Sequence, residues 1–177
     1  MLGNWLVPVG DYFQTIQASP EVLHSYRSNT TILSGKASWT PDAPIPGLGF
    51  KYHPYQGAPV SFLLRPQFTA AYSRVLEDGG DPTLSATKDY TRLGSKVTAA
   101  WFVETGPLKG LSYSATYNYL RIFSIASLKS FSRLETGLSY TMPGQEFWAW
   151  ELKYFEGREL DTFEKVKQLT LGVGLKY

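Results

Sequence analysis

The chain has 177 residues, a formal net charge of +2 and no cysteine. That length suits one domain, the small net charge gives no electrostatic footprint for nucleic acid, and the absence of thiols is compatible with an oxidising compartment. Tyrosine, at 12 residues, and an aromatic share of 15% are high. Mean hydropathy is nevertheless −0.20, and no apolar run approaches the length of about 18 residues that a transmembrane helix needs.

The first 28 residues stand apart. Ser19-Pro20-Glu21 reads as an N-cap, a first-turn proline and an early acid, opening a short helix through Val22, Leu23 and Tyr26. Upstream, Leu2, Trp5, Leu6, Val9, Phe13 and Ile16 recur near helical spacing, but Pro8 and Gly10 interrupt a regular helix. Residues 1–28 are therefore set apart as an N-terminal segment: a short helix, interfacial or lumenal, with a ninth strand as the other option. From residue 29 onward the period is 2. Eight alternating segments follow, over 30–40, 47–53, 60–76, 91–104, 110–123, 128–142, 146–156 and 163–177. Between them lie turn-forming clusters such as Pro41-Asp42-Ala43-Pro44, Glu77-Asp78-Gly79-Gly80-Asp81-Pro82 and Pro143-Gly144. The expectation is an all-β, antiparallel up-and-down sheet of eight strands over 29–177, closed into a barrel because closure removes vulnerable edges. Pro66 falls mid-strand and calls for a bulge at Arg65-Pro66.

The last segment alternates most cleanly: Leu169, Leu171, Val173, Leu175 and Tyr177, with Thr170, Gly172, Gly174 and Lys176 between them. It resembles the C-terminal strand of bacterial outer-membrane β-barrel proteins, where such a strand with a terminal aromatic is read by the barrel assembly machinery. The matching positions are Leu171, Val173, Leu175 and Tyr177. The resemblance implies a transmembrane, porin-like barrel in a Gram-negative outer membrane, with lipid, lipopolysaccharide and that machinery as partners. An export signal does not follow Met1, so on this reading it lies outside the sequence, and both termini are expected on the periplasmic side.

Alternation alone leaves the orientation open. A soluble lipocalin-like barrel turns its apolar face inward, whereas an outer-membrane barrel turns it toward lipid. The aromatics favour lipid, because amphipathic rings settle at both membrane interfaces. Trp101, Tyr113, Tyr140, Trp148 and Tyr177 fall near one set of strand ends; Trp39, Tyr72, Tyr119, Tyr154 and Phe163 fall near the other. The opposite face is mostly Ser, Thr, Gly and Ala with isolated charges, which suits a confined interior better than a solvated surface.

Six charged residues share that interior parity near mid-depth: Arg65, Lys96, Arg133, Glu135, Glu151 and Lys153, with Lys36 and Lys51 as further candidates. Two roles stay open for them. They form a paired network that locks a small interior, or they line a polar pathway whose basic excess favours anions among small solutes. The expected function is passive: a pore or a membrane-embedded scaffold with a net-basic lumen. His24 and His53 form no recognisable constellation with a serine and an acid, so neither catalysis nor a cofactor is expected. Asp78, Asp81 and Asp89 match no calcium loop, so no metal site is expected. The competing classes are an outer-membrane lipid-modifying enzyme and a soluble lipocalin-like binder of an apolar ligand.

Overall fold

The computed structural model describes residues 3–9, 12–26, 29–80, 85, 88–123, 130–142, 144, 148–158 and 165–175. They build one antiparallel sheet of nine strands in which each strand bonds to its neighbours in sequence. These are β1 (Gly3–Val9), β2 (Tyr12–Ser25), β3 (Thr30–Thr40), β4 (Val60–Asp78), β5 (Asp89–Val103), β6 (Leu111–Phe123), β7 (Ser130–Thr141), β8 (Trp148–Arg158) and β9 (Lys165–Leu175). Val9, Tyr12, Thr40, Val60, Val103, Leu111, Thr141, Trp148 and Leu175 lie at one end of the sheet, here the turn end. Ser25, Thr30, Asp78, Asp89, Phe123, Ser130, Arg158 and Lys165 lie at the other, the loop end.

The cross-strand register keeps the two faces separate across the whole width. Phe62, Trp101, Tyr113, Leu138, Leu152 and Leu171 form one continuous rung; Arg65, Thr98, Thr116, Glu135, Phe155 and Gln168 form one on the opposite face. The polar face is concave. Arg92 on β5 reaches Glu21 on β2 and Ser34 on β3, and Ile32, Tyr90, Ile122 and Phe131, from four different strands, pack together. Such contacts between non-adjacent strands need a curled sheet. On the apolar face the ring contacts Trp39–Phe68 and Trp101–Tyr113 join only adjacent strands.

Several expectations need correction. Residues 12–25 are not a helix start but strand β2, paired with β3 from Thr15–Thr40 to Ser25–Thr30. Along it Ser19, Glu21 and Leu23 alternate with Pro20, Val22 and His24, and this long ladder overrides the local Ser-Pro-Glu signal. Pro20 is tolerated just past Ala18, the last residue paired with β1. Residues 47–53 are not a strand: Gly47 and Gly49 adopt φ of 83° and 78°, which breaks the extended path. Only isolated bridges remain, Leu48–Leu64 and Tyr52–Phe62.

No bulge occurs at Pro66, which pairs in register with Val97. The backbone groups of Phe62 and Leu64 bond to Tyr52, Gly47 and Gly49 on the β3 side, so Pro66, at the same parity, faces that side too. There β3 has already left the ladder at Trp39–Phe68, and no donor is missed. The register shift lies instead between Thr31 and Ile32, leaving Leu76 as the extra residue of β4.

The strand count also reverses two placements. With nine strands, β1 and β9 run in the same direction, so Gly3 starts mid-sheet opposite Ala18 while β9 ends at the turn end. The first described residue of β1 and the last of β9 therefore do not share one end of the sheet. Trp39 moves to the turn end, where it stacks on Phe68 at 5.4 Å. Among the described residues β1 and β9 do not pair, so the sheet has two edges and is not closed into a barrel.

Candidate functional site: the concave polar face

At mid-depth Lys36, Arg65, Arg92, Lys96, Arg133 and Lys153 share the concave parity with Glu21, Glu135 and Glu151. The six residues singled out from sequence do not form one network. Arg133 and Glu135, two residues apart on β7, make an ion pair, and the Arg133 guanidinium lies 4.2 Å from the Phe155 ring centroid. Glu151 and Lys153 repeat the arrangement on β8. Arg65 and Lys96 are exposed, and among the described residues neither has an acidic partner within 4.0 Å.

The concave charges border two hollows. One, about 220 Å³, is lined by Glu21, Lys36, Gln67, Arg92, Lys96 and Asn118, with Leu23, Leu120 and Phe131 as its apolar wall. The other, about 380 Å³, is lined by Arg133, Glu135, Lys153, Gln168 and Thr170. Toward the loop end the first hollow is closed by the apolar cluster of Ile32, Tyr90, Ile122 and Phe131, backed by Leu23, Val75 and Leu120. The concave face is thus polar at mid-depth and apolar at one end.

Arg92 and Glu21 were not picked out from sequence. Arg92 is 6% exposed. Its Nη2 donates to Ser34 Oγ at 3.0 Å, and Ser34 Oγ lies 2.8 Å from Ser73 Oγ. Glu21 Oε2 is 3.7 Å away, and Nε, buried, has no hydrogen-bond partner among the described residues. Arg92 shares the parity of Lys96 four positions on, so alternation carries its signal; Glu21 was hidden by the helix-like start around it.

Lys51 is not mid-depth. It lies in the 41–59 loop, paired with Glu104 and 4.4 Å from the Phe102 ring centroid. Glu104 also accepts from Ser61 Oγ at 2.6 Å, with His53 Nε2 at 3.8 Å. The bonds from Lys51 and Ser61, helped by the charges of Lys51 and His53, hold the Glu104 carboxyl below its ordinary range.

His24 stands at the loop end, Nδ1 2.9 Å from Thr31 Oγ1, which donates to Glu77 Oε2 at 2.5 Å. A nucleophilic triad places the imidazole between hydroxyl and acid. Here the hydroxyl is in the middle and directs its O–H at Glu77, so that proton is not offered to His24 as a nucleophile's would be. Asp78 accepts from Gly80 N at 2.9 Å and Asp89 lies 4.0 Å from Arg74; Asp81 lies outside the described residues, and no metal-binding cluster occurs among those described.

Of the expected girdle, Trp101 and Tyr113 sit 5.7 Å apart between ring centroids, Trp148 is exposed, and Tyr140 and Tyr154 are half-buried on the same face. Tyr177 and Phe163 lie outside the described residues. No family model, curated protein or solved structure matches this chain.

Proposed function

We propose that this chain is an outer-membrane β-barrel protein: a passive, membrane-embedded scaffold or narrow pore whose net-basic interior admits small anionic solutes. The observation that carries the reading is the exposure of all five tryptophans, between 44% and 52%, on the convex face. Tryptophan is highly buried on average in water-soluble proteins, and a contiguous apolar surface of this extent marks a partner phase. Lipid supplies that phase, with aromatic rings at its two interfaces. The concave face, with only a small apolar cluster, offers little room for a lipocalin-like ligand of purely apolar chemistry.

Hydrocarbon also demands closure. The outer edges of β1 and β9 carry backbone N–H and C=O groups that cost several kcal/mol each when unpaired in a bilayer core. In the membrane we place β1 against β9 as a parallel seam, the consequence of an odd strand number. Contacts with lipid and lipopolysaccharide, and recognition of the last strand by the barrel assembly machinery, belong to the same proposal. The test is refolding from urea. Folded, heat-modifiable protein is expected only in detergent or lipid; monodisperse, folded protein in plain buffer would overturn the membrane reading.

A further inference from the structure

We infer that the hollow beside Arg92 is a binding site for a small amphiphilic carboxylate, its head on Arg92 and its apolar body against Leu23, Leu120 and Phe131. The inference deepens the anion-admitting interior proposed above, and it rests on the placement of one buried charge. The Arg92 side chain is 7% exposed, yet its hydrogen-bonded partner is a neutral hydroxyl and its carboxylate partner stands off at 3.7 Å. Its Nε is buried and without a hydrogen-bond partner among the described residues. A guanidinium offers five donors suited to planar carboxylates, and a buried charge left incompletely paired favours an incoming counter-ion.

The surroundings define the ligand. Lys36 and Arg92 flank Ala71 on one rung, so a small side chain separates two cations. Lys96 lies four residues along β5, with Gly94 between them on the same face; a Cβ at Gly94 would sit 2.8 Å from Leu120 Cδ1, so the glycine keeps the floor open. Three cations thus face one carboxylate, Glu21, while Gln67 and Asn118 offer neutral donors. The opposite wall is apolar, which a free phosphate would leave unused. At about 220 Å³ the hollow lies below the range of about 300–1,000 Å³ typical of drug-sized ligands, which suits an aryl or short-chain acid.

The experiment is calorimetric titration of the full chain, refolded in detergent micelles, with benzoate, benzamide and inorganic phosphate. Benzoate is expected to bind, with phosphate at least tenfold weaker and benzamide showing no measurable binding. Arg92→Gln should lower benzoate affinity at least tenfold, and Lys96→Gln and Lys36→Gln several-fold each. Since Arg92→Gln removes a buried group and can fail to fold, the lysine variants and the benzamide comparison decide independently. Benzamide binding as tightly as benzoate, phosphate binding best, or unchanged affinity in both lysine variants would overturn the inference. Detergent-dependent folding without benzoate binding overturns this site and leaves the membrane reading standing. Benzoate binding by protein folded in plain buffer does the reverse.

Discussion

Glu104 shows how single residues tie the turn end together. Its carboxylate accepts from Lys51 and Ser61, its backbone N–H donates to Pro59 O at 2.8 Å, and the 41–59 loop is thereby fastened beneath β4 and β5. Gln14 does the same on the other side, donating to Asp42 O at 2.6 Å and accepting from Trp39 Nε1 at 2.9 Å. The Glu104 carboxyl is held below its usual value of 4.5, chiefly by the Lys51 bond and then by Ser61. A folded-state value below the unfolded one means that the contribution is complete above the unfolded value and fades as pH falls through the folded one. Urea midpoints of the refolded protein should therefore drop as pH is lowered below about 4.5, and Glu104→Gln should flatten part of that slope. An identical slope in the variant would show that the cluster contributes nothing to acid sensitivity.

At the scale of strands, alternation decides which side chain meets which phase. Thr170 and Leu171 are adjacent on β9, both exposed, and of opposite parity. In vesicles Leu171→Arg should cost up to about 2–4 kcal/mol of unfolding free energy, the penalty for a charge near the bilayer midplane, while Thr170→Arg should cost well under half as much. Equal costs, or the reverse order, would contradict the face assignment. Most of this was legible in the sequence: 30–40 and the last six segments are the strands β3 to β9, because period-2 patterning survives any uncertainty in boundaries. What failed has local causes. Left-handed Gly47 and Gly49 dissolved the 47–53 segment, and pairing with β3 turned a convincing helix start at Ser19 into β2. The apolar cluster at the loop end was missed because Leu120, Ile122 and Phe123 make both faces apolar there, so parity alone gives no warning. Arg92 was missed for a different reason: its parity matches that of Lys96, but it stands at the start of the predicted segment, outside the mid-strand positions from which the charged group was drawn.

For the whole molecule, the central question is which phase meets the convex face and how its edges end. The parallel seam makes one prediction: Val7→Cys combined with Leu171→Cys or Val173→Cys should oxidise to an intrachain disulfide in lipid. A disulfide-linked dimer would mean that the edges are satisfied by a second chain, and no product in either pair would contradict the seam. The convex face itself is tested most directly by its tryptophans. Trp5, Trp39, Trp101, Trp148 and Trp150 are all exposed, so their fluorescence in vesicles reports the phase they face. Strong quenching by brominated acyl chains, with blue-shifted emission and protection from aqueous acrylamide, is the predicted result. Emission quenched by acrylamide but indifferent to brominated lipid would contradict the account.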